Sequence, residues 1–181
     1  MGASSHHETV RPPHYTLPDS GEEIAFRYIR PDDKENLAAA LGRLSPESRH
    51  KRFLAAKPRF SSAELRYLTE IDGFDHVAVL AVLADDPDAI VGVGRFVRLR
   101  DLPETAEVAI VVGDRFQGQG LGRELGRRLA DEARVRSVKR FTATMMGDNV
   151  AAHRLFHSIS DRLEGRVEGG TRVVTAEIAA A

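Results

Sequence analysis

The alternation of apolar and polar residues predicts that the chain begins its fold with one strand and three helices. The segment EIAFRYIRP, from Glu23, alternates as a strand does until Pro31 interrupts it. Acidic residues open PDDKENLAAALGRL and suit the N-terminus of a first helix. Two more helices are predicted in LSPESRHKRF, with Ser45 as N-cap, and in SSAELRYLTEI, with a capping box from Ser61 to Glu64.

The middle of the chain carries three aliphatic, β-branched runs that predict neighbouring strands. HVAVLAVL, AIVGVGRFVRL and TAEVAIVV are separated by the turn sequences ADDPD and RDLPE, and such short connections imply antiparallel pairing. A helix from Leu121, a strand RFTATMM, a helix NVAAHRLFHSI and two final strands, RLEGRVEG and TRVVTAEIA, follow. The predicted fold class is therefore α/β (α+β), with a mixed, mostly antiparallel central sheet and helices on both faces.

Length and composition favour one globular domain. The chain has 181 residues, and residues 1–22 contain few aliphatic side chains, so we expect a flexible lead-in followed by a single domain over residues 23–181. A formal charge of -1 gives no case for a nucleic-acid or membrane-surface partner. There is no cysteine, signal peptide or membrane-length apolar run, so we expect a cytoplasmic protein.

The segment QGQGLG, residues 117–122, stands between the apolar run VAIVV and an amphipathic helix. The first turn of a helix leaves about four N–H groups without partners and carries a partial positive charge, which suits an anion. Gly118, Gly120 and Gly122 add no Cβ, and Arg123 lies beside them, so a pyrophosphate fits the turn. The alternative is a glycine-rich turn that only links strand and helix. The spacing matches neither a dinucleotide fingerprint nor a P-loop.

QGQGLG in this position resembles the acyl-CoA pyrophosphate motif of the GCN5-related N-acetyltransferase (GNAT) superfamily. The order of predicted elements is similar to the GNAT fold, and DNVAAHRLF resembles the asparagine-containing start of its following helix. Within the superfamily, LSPESRHKRF, DGFDHVAVLAV and AEVAIVVGDRFQGQGLG resemble bacterial protein-lysine acetyltransferase domains.

This resemblance implies acetyl-CoA as co-substrate, held in a gap between two parallel strands, with its pantetheine arm paired to the backbone of VAIVV. A backbone N–H there would also stabilise the oxyanion of the reaction, an effect worth roughly 3 to 4 kcal/mol per donor. No metal is implied. The predicted cofactor-binding residues are Ile110, Val111, Val112, Gln117, Gly118, Gln119, Gly120, Leu121, Gly122, Arg123 and Asn149.

Glu107 is the predicted general base. Lysine is charged at neutral pH and only the free amine attacks a carbonyl, so a base is needed. Glu107 lies among small and aliphatic neighbours that favour a desolvated carboxylate, and AEVA matches the position of the base in the lysine acetyltransferases that the chain resembles. The alternative is an exposed glutamate at the start of a strand.

Two further positions leave the chemistry open. Many relatives carry a tyrosine general acid where this chain has Phe156, so a side-chain acid is in doubt. Asn149 orders either the cofactor arm or only the start of its helix.

His153 and His157 lie four residues apart, but a third zinc ligand is not evident in the sequence.

The expected reaction is transfer of an acetyl group to a primary amine, the side chain of a protein lysine, by direct attack in a ternary complex. The alternatives are acetylation of a small amine such as an antibiotic or a polyamine, and an acyl-CoA-sensing module with weak catalysis. The sequence does not give the oligomeric state.

Overall fold

The computed structural model describes residues 14–178, apart from the side chains of Asp161 and Glu168. The strands in this range are β1 (His14–Thr16), β2 (Glu23–Tyr28), β3 (His76–Leu83), β4 (Ile90–Leu99), β5 (Leu102–Val112), β6 (Arg140–Met146), β7 (Ser160–Glu168) and β8 (Thr171–Ile178). The helices are α1 (Lys34–Arg43), α2 (Pro46–Phe53), α3 (Ser62–Thr69), α4 (Leu121–Val135) and α5 (Val150–Ile159). Short 3-10 turns occupy Pro31–Asp33 and Asp114–Phe116.

The strands form one sheet in the order β1-β2-β3-β4-β5-β6-β8-β7. Every neighbouring pair is antiparallel except β5 and β6, which run parallel. The predicted mixed, mostly antiparallel sheet is confirmed. The predicted caps are present as well, because the Ser45 hydroxyl accepts from the Ser48 amide and Ser61 forms its capping box with Glu64.

Hydrophobic cores cover both faces of the sheet. On one face the buried side of α4, with Leu121, Leu125 and Leu129 fully buried, packs with α5 against the strands. On the other face α1 and the half-buried side chains of α3 cover β3 and β4. Helices therefore lie on both faces, as predicted.

The close approach of α4 depends on glycines in β4. A Cβ added at Gly94 would lie 2.8 Å from Cδ1 of Leu129, and one at Gly92 would lie 3.0 Å from Cδ1 of Leu125. Gly126 of α4 instead faces α5, since a Cβ there would meet Ile159 and Leu155 at 3.2 Å. The strand glycines thus bring α4 down onto the sheet, and the helix glycine brings α5 alongside.

The parallel strands β5 and β6 separate soon after they meet. Within the described residues they pair over Thr105↔Arg140, Ala106↔Phe141 and Glu107↔Thr142, after which β6 continues beside β8. The edge of β5 beyond Glu107 therefore has no strand partner on the β6 side, and a gap opens there.

The N-terminal segment differs from the expected flexible lead-in over residues 1–22. Residues 1–13 lie outside the described residues, whereas His14–Thr16 forms β1 and pairs with β2. Leu17 is buried in the core, and this contact explains the difference because it ties the segment to the sheet. None of the helices within residues 14–178 is long and apolar enough to cross a membrane.

We expect Gly94→Ala to lower the free energy of unfolding by about 1 to 3 kcal/mol, because the added methyl group overpacks the contact between β4 and Leu129. Chemical denaturation measures the change. Gly42→Ala is the matched control, because a Cβ at this position in α1 meets nothing within 4 Å. This substitution should not destabilise the protein, since alanine is a better helix former than glycine. A Gly94→Ala protein as stable as the Gly42→Ala protein would contradict this account of the packing.

Candidate functional site

Two adjoining cavities open where β5 and β6 separate. The larger has a volume of about 370 Å³ and the smaller about 250 Å³. Ile110, Asn149, Ala152 and Leu155 line both. The predicted cofactor residues that line the larger cavity are Ile110, Val111, Val112, Gln117, Gly118, Gly120, Gly122, Arg123 and Asn149. The two that do not are Gln119 and Leu121, and Leu121 is fully buried in the core.

The backbone of β5 presents unpaired groups to the gap. The amide of Gly113 donates to the carbonyl oxygen of Val91 on β4 at 2.8 Å, and backbone groups alternate sides along a strand. The N–H groups of Ile110 and Val112 therefore point away from β4 and into the gap. Gln117 Nε2 donates to the carbonyl oxygen of Val112 at 3.0 Å, so this gap-facing carbonyl already has a partner. The gap-facing N–H groups of Ile110 and Val112 remain available to a ligand.

The glycine turn leaves the start of α4 open. Gly118 and Gly120 both lie in the left-handed region, with φ of 77° and 83°, and Gly120 caps α4 without a side-chain hydrogen bond. The helix therefore begins with amides that no cap side chain satisfies. The charged residues lining the larger cavity are all cations: Lys51, Arg52, Arg123 and Arg154. A pyrophosphate fits the glycine turn because the helix start and the neighbouring Arg123 both favour negative charge.

The N-terminal segment braces the outer side of this turn. The Tyr15 hydroxyl donates to the carbonyl oxygen of Gln119 at 2.8 Å, and Glu22 pairs with Arg115. A Cβ at Gly120 would lie 2.4 Å from the Tyr15 hydroxyl oxygen. Gly120 thus makes room for Tyr15, a contact that the sequence did not indicate because 104 residues separate Tyr15 from Gln119.

A second contact ties the turn to α2. The carboxylate of Asp114 accepts hydrogen bonds from the Ser45 amide at 2.8 Å and from the hydroxyls of Ser45 and Ser48, each at 2.7 Å. Gln117 Nε2 also donates to the Ser48 hydroxyl at 3.1 Å. We call these four residues the α2 clasp. Burial alone would raise the pKa of Asp114, but the hydrogen bonds from Ser48 and Ser45 hold it below its usual value.

Glu107 lies at the other end of the gap and lines the smaller cavity. Its side chain is exposed, which differs from the expected desolvation because the strands separate beside it and open the site to solvent. Arg52, from the last turn of α2, lines the same cavity. An exposed carboxylate beside the cavity is placed to exchange protons with an incoming amine or with water.

The helix that follows β6 contributes an amide and a phenyl ring. The Asn149 side-chain oxygen caps α5 by accepting from the Ala152 amide at 3.1 Å, and Asn149 also lines both cavities. Phe156 is buried at the smaller cavity and offers no proton. Tyr15, Tyr28 and Tyr67 are all the tyrosines of the chain, and none lines either cavity, so no tyrosine replaces it there.

The histidine pair His153 and His157 lies outside the smaller cavity. The Arg172 guanidinium lies 3.2 Å from His153 Nε2, and burial, followed by Arg172 and His157, lowers the pKa of His153. No group of three or more potential metal ligands occurs among residues 14–178.

The model of the acetyltransferase (GNAT) family matches residues 47–159, more than half of the chain. The chain is 35% identical to acetyltransferase Pat of Mycolicibacterium smegmatis over 145 residues, and 34% identical to acetyltransferase PA5475 of Pseudomonas aeruginosa over 117 residues. These alignments cover 80% and 64% of this chain. The crystal structure of the GNAT domain of S. lividans PAT superposes with a TM-score of 0.81 at 27% identity, covering 92% of this chain and 97% of that one.

The chain matches only part of these curated relatives. The alignments span 41% of the M. smegmatis protein and 62% of the P. aeruginosa protein. In the fold found here, the family match begins in α2 and ends with α5.

We expect Gly120→Ala to destabilise the protein more than Gly118→Ala. Both substitutions force a side chain into the left-handed region, at roughly 1 to 2 kcal/mol each, but only the first also clashes with Tyr15. Tyr15→Phe removes the clashing hydroxyl, so the excess cost should shrink in that background. Chemical denaturation measures this excess cost in the parent, in the three single variants and in the two glycine variants combined with Tyr15→Phe. An excess cost that is the same with and without Tyr15→Phe would show that the Tyr15 hydroxyl is not its source.

We expect the α2 clasp to be acid-labile. Because the pKa of Asp114 is lowered in the folded protein, its contribution is complete above about pH 4 and is lost as the pH falls through the folded-state pKa. The stability difference between the parent and Asp114→Asn should therefore shrink below about pH 4. Thermal unfolding against pH measures it, with Asp101→Asn, an exposed turn residue, as control. A difference that stays constant with pH would exclude the carboxylate as its source.

Proposed function

Because this chain belongs to the acetyltransferase (GNAT) family, we propose that it transfers the acetyl group of acetyl-CoA to the side-chain amine of a protein lysine. The transfer proceeds by direct attack in a ternary complex. The observation that carries this proposal is the free edge of β5, which leads to the start of α4, where cations line the cavity and the N-cap Gly120 has no side chain to satisfy the first amides. An extended amide chain that ends in a pyrophosphate complements both features.

The residues of the gap would bind acetyl-CoA in two parts. The gap-facing amides of Ile110 and Val112 pair with the pantetheine arm, while the glycine turn and Arg123 hold the pyrophosphate. Asn149 stands beside the arm, where its cap of α5 fixes its orientation. Gln119 and Leu121 act through the backbone and the packing of the turn, since their side chains do not line the cavity.

The reaction joins the acceptor nitrogen to the acetyl carbon and breaks the bond between that carbon and sulfur. Glu107 takes one ammonium proton, directly or through water, before the amine attacks. The second proton that the nitrogen loses, as the tetrahedral intermediate collapses, passes to the departing thiolate or to water. A gap-side amide of β5 stabilises the oxyanion that develops on the carbonyl oxygen. The leaving group needs no side-chain acid, because a thiol of pKa about 8.5 is stable enough as a thiolate to leave without being protonated first. The buried phenyl ring of Phe156 has no proton to donate.

Two observations favour a protein lysine over a small polyamine. The relatives reported above include proteins named Pat and PAT, and the chain's sequence and fold are similar to theirs. The charged residues lining the smaller cavity are Lys51, Arg52 and Glu107, so it lacks the several acids that a polyamine would require.

Incubating a cell lysate with labelled acetyl-CoA, with and without the protein, tests the proposed acceptor. We expect the label to appear in proteins, on lysine side chains. A heat-inactivated sample and a Glu107→Gln sample serve as controls. Label found only in small molecules would contradict the protein-lysine proposal and favour a small-amine acceptor.

We expect Glu107→Gln to lower turnover by about 10² to 10⁴ while the affinity for acetyl-CoA stays close to that of the parent, because only the general base is lost. Calorimetry measures the affinity, and release of the CoA thiol measures the turnover. Glu104→Gln is the matched control on the same strand, since Glu104 pairs with Lys139 at 2.5 Å and lines neither cavity. Parental turnover in the Glu107→Gln protein would remove Glu107 from the reaction.

A further inference from the structure

We propose that Arg52 is a specificity residue that binds a carboxylate of the acceptor, so that the preferred substrate is a lysine with an acidic neighbour. The proposal rests on the proposed function, because it assigns the smaller cavity to the acceptor. It names a contact for the part of the substrate that surrounds the reacting amine.

The guanidinium of Arg52 lacks a partner within the described residues. It makes no hydrogen bond or ion pair in this range, and its close contact is the ring of Phe53, whose centroid lies 4.8 Å from Cζ. Its neighbour Lys51 pairs with Glu47 at 2.5 Å, and Arg98 pairs with Asp75 at 2.7 Å. Arg52 is partly buried, and this burial lowers its pKa although Glu107 opposes the shift. A half-buried guanidinium that donates to no carboxylate keeps its N–H donors available for one.

The surroundings of Arg52 reinforce its positive potential. Arg95 of β4 is buried, with its guanidinium 3.2 Å from His76 Nε2 and donating to the Leu68 carbonyl oxygen at 3.2 Å. Burial, and then Arg95, lowers the pKa of His76 to about 4, so this imidazole is neutral at pH 7. Burial, and then repulsion from Arg52, lowers the pKa of Arg95 to about 10, so Arg95 stays charged. The charged Arg95 therefore adds to the positive potential at Arg52, and the acidic residue that lines the smaller cavity with Arg52 is Glu107.

This charge distribution selects among acceptors. A lysine ammonium that enters alone meets Glu107 but also the repulsion of Arg52. A carboxylate beside that lysine completes the pair with Arg52, whose planar fork matches a carboxylate in two hydrogen bonds. The lysine nitrogen is then left to Glu107.

The location of Arg52 separates this role from binding of the pyrophosphate. Arg52 lines both cavities, but the residues of the glycine turn, Gln117 to Arg123, do not line the smaller one. Glu107 lines the smaller cavity but not the larger one. Arg52 thus stands at the acceptor end of the gap, about one helical turn beyond Ser48 of the clasp.

Two peptides that differ only in the residue beside a central lysine, Asp in one and Asn in the other, test the proposal. We expect the unaltered protein to prefer the Asp peptide in kcat/KM by roughly 5- to 20-fold, mainly through KM, as a partly exposed charged hydrogen bond does. In Arg52→Gln the preference should fall to about 1, and Arg52→Lys should keep part of it. Arg59→Gln is the control, since Arg59 is exposed and lines neither cavity.

Each outcome decides one of the two proposals. Equal rates on both peptides with the unaltered protein would overturn the role of Arg52 alone. A preference that survives in Arg52→Gln would do the same, as would a loss of acetyl-CoA affinity in that variant with the peptide ratio unchanged. No transfer to either peptide would overturn the protein-lysine proposal, and the role of Arg52 with it. Thermal unfolding of each variant, measured in parallel, shows that the comparison is between folded proteins.

Discussion

The site depends on backbone hydrogen bonds that β5 cannot make within the sheet. β6 leaves β5 after Glu107, so the next residues of β5 have a partner on one side only. Buried or half-buried amides need partners, and an extended ligand with amide groups supplies them in the manner of an added strand. The gap, the two cavities and the place of Glu107 all follow from this one separation.

Contacts with other segments fix the turn that follows β5, because the glycines of the turn have no side chains that could fix it. A glycine N-cap and two left-handed glycines leave the start of α4 open to an anion, but they add no side chain that would fix the turn. Tyr15 and Glu22 brace it from one side, and the α2 clasp braces it from the other. The clasp also joins the turn to the helix that carries Arg52, so both ends of the gap share one support.

The sequence predicted the features that depend on local pattern. Strand alternation, the caps at Ser45 and Ser61, and QGQGLG between a strand and a helix are each recognisable in a window of about ten residues. Contacts between distant segments are not readable in this way. β1 is too short to show a period, and Asp114 meets Ser45 across 69 residues. The exposure of Glu107 was likewise hidden, because small neighbours in sequence do not show where two strands separate.

The proposed site requires acetyl-CoA to pair with the free edge of β5 and the start of α4. Amide hydrogen exchange, with and without acetyl-CoA, measures this residue by residue. We expect slower exchange on binding at the amides of Ile110 and Val112 and in the first turn of α4. The exchange of Val111 should change little, because its amide faces β4. Binding of acetyl-CoA that leaves Ile110, Val112 and the start of α4 unprotected would contradict it.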